Sequence, residues 1–186
     1  MQFLPLDISG ACVISPAPFM DHRGVFRRNF CSAEFSAAGL DSRVAQGNIS
    51  ENLRRGTLRG FHFLDPACGE AKTLSCLRGA VHDVIVDLRP QSPTYLAWRS
   101  VQLDDQSRDS IHVPPGCANA FLTLTDDVIV HYYHSCAYVP AAERGIRYND
   151  PGFGFEWPFE PTIISDKDRE HPDFVPVRQP GKLLRE

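Results

Sequence analysis

The run Ala80-Val81-His82-Asp83-Val84-Ile85-Val86-Asp87-Leu88 is dense in β-branched residues, follows Gly79 and is closed by Pro90, and so reads as a strand. The same punctuation repeats on both sides of it. Upstream, residues 25–30, 58–63 and 72–77 are short apolar runs between Gly, Pro, Asn and Asp clusters. Downstream, residues 98–103, 110–113, 118–124 and 128–134 follow the same rule. Only residues 32–39 read as a helix, with Ser32 as N-cap and Gly39 as the stop. Many short strands at this spacing favour a sandwich or barrel, and a jelly roll protects its edges by folding two sheets together. After about Asn149 the strand rhythm gives way to Pro-rich, aromatic and charged sequence, expected to pack across the barrel as a tail.

Size and charge limit the functions open to the chain. Its 186 residues, 42% of them hydrophobic, suit one domain with an ordinary core. The expected division is a jelly-roll core over about 10–140 and a C-terminal packing segment over about 141–186. A net charge of −4 argues against a nucleic-acid binder, which needs a basic face. The opening Met1-Gln2-Phe3-Leu4-Pro5-Leu6-Asp7 lacks a basic segment followed by a long apolar one, and no later run is long enough to span a membrane. Cytoplasmic residence is the expectation. It agrees with six scattered cysteines, Cys12, Cys31, Cys68, Cys76, Cys117 and Cys136, which include no C-x-x-C pair and read as reduced thiols.

Leu58-Arg59-Gly60-Phe61-His62-Phe63 holds the densest chemistry. Strand parity puts His62 with Gly60 and Leu58 and leaves Arg59 on the other face unless Gly60 introduces a bulge. Lys72 follows ten residues after His62, and on the last strand Tyr132 shares a face with Val130 and His134. A histidine, a lysine and a tyrosine gathered in one cavity would supply a base, an oxyanion partner and a proton donor next to a ketone. A metal-dependent cupin oxygenase fits poorly, since it needs two histidines in H-x-H spacing and His62 is followed by Phe63 and Leu64.

From Asp21 to Pro172 the chain resembles the dTDP-4-dehydrorhamnose 3,5-epimerase family of cupin-like sugar-nucleotide enzymes. The resemblance is carried by Asp21-His22-Arg23-Gly24-Val25-Phe26, Gln46-Gly47-Asn48-Ile49-Ser50, Leu58 to His62, Lys72, Gly79 to Arg89 with Ser92-Pro93-Thr94, Val113-Pro114-Pro115-Gly116, Tyr132, Tyr138, Asn149-Asp150-Pro151, Trp157-Pro158 and Ser165-Asp166-Lys167-Asp168. It implies an all-β, cupin-like jelly-roll barrel with a few short helices. It also implies a homodimer sharing N-terminal strands, and a nucleotide-diphosphate 4-keto sugar in the barrel's mouth. In such families His62 would take the proton beside the C4 ketone, Asp168 would orient its imidazole, Lys72 would stabilise the enolate oxygen and Tyr132 would return a proton from the opposite face. No metal or redox cofactor is required, because the substrate's ketone acidifies both neighbouring carbons.

Arg23, Gln46, Asn48 and Arg59 match family positions along the diphosphate and sugar, where a guanidinium makes paired hydrogen bonds. Phe26, Arg28, Asn119, Tyr138 and Glu143 complete the implied substrate-binding set. Two of these depart from the family pattern. Asn119 stands where Ala-His-Gly-Phe is usual, and an amide cannot shuttle protons. Arg28 stands where many thymidine-binding members carry an acidic residue. Both leave the proton-transfer set intact and bear on the base, the sugar and whether one or both carbons invert. The alternatives are a 3,4-ketoisomerase, which differs in where the proton returns, and a noncatalytic sugar-nucleotide-binding cupin.

Overall fold

The β-branched runs pair into two facing antiparallel sheets. A computed structural model describes residues 1–177. In chain order the strands are β1 (Gln2–Pro5), β2 (Cys12–Ser15), β3 (Phe19–Asp21), β4 (Gly24–Phe26), β5 (Gln46–Asn52), β6 (Leu58–Leu64) and β7 (Lys72–Arg78). They continue with β8 (Ala80–Asp87), β9 (Trp98–Asp104), β10 (Ser110–Val113), β11 (Cys117–Thr123), β12 (Val128–His134) and β13 (Glu143–Gly145). Two short helices, α1 (Ser32–Ala37) and α2 (Asp166–Arg169), accompany them. One sheet has the order β1-β2-β10-β7-β12-β5, the other β13-β6-β11-β8-β9, and β3 and β4 form a separate hairpin. Two stacked sheets with these crossovers make the expected jelly roll.

Parity on β8 explains where the core lies. Val81 and Ile85 face inward and meet Leu74, Ile111, Phe121, Val128 and Val130 between the sheets. Val84 and Val86 face outward and are covered by Phe61, Ala118, Ala120 and an aromatic set from the C-terminal segment, Phe153, Phe155 and Trp157. Phe61 stacks on Phe155 at 4.3 Å, and the Trp98 indole N–H donates to the Phe153 carbonyl at 3.0 Å. The tail therefore packs on the barrel as expected. It also joins the sheets: β13 pairs with β6, and the Leu58 N–H donates to the Ile163 carbonyl at 2.8 Å. Because β1 pairs with β2 at one end and β13 with β6 at the other, the sheets reach beyond the expected 10–140 core. Residues 178–186 of the expected packing segment lie outside the described residues.

Several boundaries differ from the sequence reading. The strand expected over 25–30 ends at Phe26, and Phe30 instead turns onto Phe35 of α1 at 4.7 Å. Helix α1 starts at Ser32, so its N-cap is Cys31, with no side-chain cap. Gly39 does stop it: at φ +74° its N–H donates to the Ser36 carbonyl and that of Leu40 to the Phe35 carbonyl, a Schellman closure. The six cysteines are free. Among the described residues no helix is long and apolar enough to cross a membrane.

Candidate active site

A cavity of about 370 Å³ opens between the two sheets, a size suited to a small organic ligand. Gln46 and Asn48 of β5, Lys72 and Leu74 of β7, and Tyr132 and His134 of β12 line one wall. Arg59 and His62 of β6 and Asn119 and Phe121 of β11 line the other, with Tyr138 and Glu143 at the margin. Register makes these meetings: Tyr132 stands opposite Asn48 and Leu74, His134 opposite Gln46 and Lys72, and Asn119 opposite His62.

Arg59 and His62 share the cavity because β6 bulges between them. Asn119 pairs with His62 and Phe121 with Arg59, so three steps on β6 match two on β11. Gly60 makes this possible. Its φ is +110°, and a Cβ there would lie 2.6 Å from the Asn119 carbonyl oxygen.

His62 is the half-exposed end of a hydrogen-bonded pair. Its Nε2 lies 2.7 Å from Asp168 Oδ1, while Asp168 Oδ2 accepts the Gly60 N–H at 3.1 Å. Ser165 caps α2 by accepting the Asp168 N–H at 3.1 Å, which fixes the helix that delivers this carboxylate. A carboxylate on Nε2–H selects that tautomer and leaves Nδ1 as the basic nitrogen. Burial pushes the Asp168 carboxyl up, but the His62 bond and charge and the Gly60 N–H outweigh it and hold it below its ordinary value.

Lys72 is largely buried, with its ammonium at the cavity floor. Its ammonium donates to the His62 carbonyl at 2.8 Å and to Asn119 Oδ1 at 3.5 Å, with Glu70 Oε2 at 3.6 Å. Burial lowers its affinity for a proton, and the charges of Glu70, Asp83 and Glu143 oppose that effect. Asn119 turns its amide N–H to Asp83 Oδ2 at 3.1 Å. Asp83 is fully buried, its Oδ1 has no partner among the described residues, and burial pushes its carboxyl up to about 8. Burial likewise raises the Tyr132 phenol, against the pull of Arg59.

The remaining polar groups form a rim. Arg59 Nε donates to Asn52 Oδ1 at 2.7 Å, Gln46 to Asn48 at 3.2 Å, and the Tyr138 hydroxyl to Glu143 at 2.6 Å, where Lys167 also sits at 2.6 Å. Thus His62, Lys72, Tyr132, Gln46, Asn48, Arg59, Asn119, Tyr138 and Glu143 converge, with Asp168 behind His62. Arg23, Phe26 and Arg28 do not. Arg23 pairs with Asp21 on the β3–β4 hairpin, Phe26 is 76% exposed, and Arg28 pairs with Glu34 of α1 at 2.5 Å. Glu70 and His134, both on the cavity wall, were not singled out as site residues from sequence, and neither was Asp83. The inward parity of Asp83 between Val81 and Ile85 was the available signal for it. Among the described residues no three His, Cys, Asp or Glu side chains converge as metal ligands would.

Comparison with known proteins places this geometry in context. The family profile described as dTDP-4-dehydrorhamnose 3,5-epimerase matches residues 5–175. A dTDP-4-dehydrorhamnose 3,5-epimerase of Streptomyces griseus is 42% identical over 182 residues, spanning 96% of this chain and 90% of that one. The crystal structure of a 4-keto-6-deoxy sugar epimerase from the novobiocin biosynthetic gene cluster of Streptomyces spheroides superimposes with a TM-score of 0.88 at 38% identity, covering 93% of this chain and 87% of that one. A 3'-monoepimerase from Streptomyces bikiniensis, solved with dTDP-quinovose, gives a TM-score of 0.84 at 38% identity over 91% and 86% of the two chains.

Proposed function

This chain belongs to the dTDP-4-dehydrorhamnose 3,5-epimerase family, and we propose that it inverts C3, C5 or both of a dTDP-linked 4-keto-6-deoxy sugar through an enolate. The observation that carries the reading is the His62–Asp168 pair at 2.7 Å, on a cavity whose floor is the Lys72 ammonium and whose facing wall holds Tyr132. Nδ1 of His62 takes the proton next to the ketone. Charge then grows on the C4 oxygen, where a preplaced ammonium stabilises the transition state more than the ground state. The Tyr132 phenol, kept protonated by burial, returns a proton from the other sheet and so from the other side of the sugar. Arg59, Gln46 and Asn48 supply the donors for the diphosphate and sugar.

The segment after residue 141 belongs to this one catalytic domain, since it supplies Glu143, Lys167 and Asp168. The β3–β4 hairpin points to a homodimer. The β3–β4 hairpin exposes Phe19, Met20 and Phe26 beside Arg23, none of which reaches its own cavity, so a partner's cavity is their natural place. Sedimentation as a monomer would contradict that assembly. Six unpaired cysteines support a cytoplasmic setting.

The test is incubation of the enzyme in D2O with dTDP-4-dehydro-6-deoxyglucose, following C3 and C5 separately by NMR. Deuterium at one or both carbons with inverted configuration is the expected result. A product whose carbonyl has moved identifies a ketoisomerase instead, and binding with no exchange identifies a noncatalytic module. Asn119 stands where the family usually has a histidine to hold the sugar as the second carbon is presented, which favours inversion at one carbon; complete inversion at both removes that refinement.

A further inference from the structure

Two titratable side chains on the cavity wall have no part in the proton transfers above. Glu70 precedes β7 and His134 closes β12, and their side chains are only 7% and 11% exposed. Glu70 Oε1 lies 2.6 Å from His134 Nδ1. His134 Nε2 in turn lies 3.2 Å from Asn48 Nδ2, and Gln46 Nε2 donates to Asn48 Oδ1 at 3.2 Å. Donor and acceptor roles are consistent along the whole path. Gln46 donates to Asn48, Asn48 to His134 Nε2, and His134 Nδ1–H to Glu70, whose second oxygen faces the Lys72 ammonium at 3.6 Å.

The path starts at amides that line the cavity and ends at the buried cation. Lys72 sees charged or titratable groups from every side: Glu70 before β7, Asp83 of β8, Glu143 of β13, His62 and Arg59 of β6, and His134 and Tyr132 of β12. Glu70 is the first of the charges that oppose the effect of Lys72's burial. It is itself held ionised: burial pushes its carboxyl up, but the His134 hydrogen bond and the Lys72 charge outweigh this. Asp83, by contrast, is pushed towards neutrality by its burial.

We propose that Glu70, clamped by His134, is a positioning residue that holds the Lys72 ammonium charged and in place, and ties it through Asn48 and Gln46 to the part of the site that grips the substrate. This rests on the reading of Lys72 as the cation that meets the enolate oxygen. A buried carboxylate next to an ammonium favours the protonated lysine, and its removal lets the proton leave at lower pH. A role in packing alone would not move a titration.

Glu70→Gln keeps the side chain's size and an acceptor for His134 while deleting the charge. Deuterium wash-in from D2O into dTDP-4-dehydro-6-deoxyglucose is followed as kcat and KM from pH 6 to 10. The expected result is a kcat about tenfold lower at pH 8, KM within about twofold, and an alkaline limb moved down by about one pH unit or more. Glu70→Asp, which retains the charge, is expected to keep the limb near its wild-type place. An equal loss at every pH, no loss, or a limb displaced as far in Glu70→Asp overturns the proposal. Lys72→Met separates the two ideas. If Lys72→Met exchanges at the wild-type rate, the lysine's own role fails. If it is impaired, adding Glu70→Gln is expected to cost nothing more, and a further tenfold loss there overturns the role of Glu70.

Discussion

Asp168 and Asp83 stand behind the same cavity, each screened by one polar side chain, yet they hold opposite electrostatic states. Asp168 lies behind an imidazole at 2.7 Å and is held below its ordinary carboxylate value despite burial. Asp83 lies behind an amide at 3.1 Å, and burial pushes it up to about 8 because neither Asn119 nor Lys72 compensates for the lost water. A carboxylate buried with a group that can become a cation stays charged; one buried with an amide drifts towards neutrality. An imidazole at 119 would give the cavity two matching pairs, one on each of two adjoining strands. On these strands there is one such pair, His62 with Asp168, and it is to His62 that the proposed general-base role falls.

The largest way to break this contrast is Asp168→Asn. An amide whose oxygen stays on the Gly60 N–H turns its NH2 towards Nε2, which selects the opposite tautomer, and it removes the charge that balances the imidazolium. Exchange into the 4-keto sugar is expected to fall by about 10²- to 10⁴-fold, with dTDP affinity little changed by calorimetry. A loss under about threefold would show that His62 does not depend on its carboxylate.

A smaller effect is expected at Asp83, and on stability rather than rate. Its folded-state value lies far above that of an unfolded aspartate, so between about pH 4 and 8 the folded protein binds more protons than the unfolded one and stability falls as pH rises. Asp83→Asn keeps an acceptor for Asn119 and removes this slope. The difference in unfolding free energy between pH 5 and pH 8, read from urea titrations, is expected to shrink by about 1 to 3 kcal/mol relative to wild type. Parallel pH profiles for the two proteins would place Asp83 outside this account.

How much of this was visible in the sequence follows from where each residue finds its partner. From β6 to β12 the strands begin within a residue of the positions read from apolar runs, whereas β2, which buries Cys12 and Ile14, and the short β1 and β13 were not among those runs. Strand β5, Gln46-Gly47-Asn48-Ile49-Ser50-Glu51-Asn52, was not among them either, because it closes a sheet and turns amides and a serine inward beside the cavity while Ile49 is 63% exposed. A strand that lines a polar cavity loses the apolar alternation that marks strands. The bulge at Gly60 was legible as a condition, since Arg59 and His62 can share a face only if the count slips by one. Pairings between distant elements were not: His62 and Asp168 lie 106 residues apart and Glu70 and His134 are separated by 64. Family resemblance supplied the first of these and was silent on the second.

The central claim is that His62 removes a proton from a carbon next to the ketone, and the most direct test is solvent deuterium exchange by His62→Asn. With dTDP-4-dehydro-6-deoxyglucose in D2O, wild type is expected to label C3, C5 or both. His62→Asn is expected to lose at least about 10²-fold in exchange at every position while binding dTDP as wild type does. A folded, nucleotide-binding His62→Asn protein that exchanges at the wild-type rate would contradict the account.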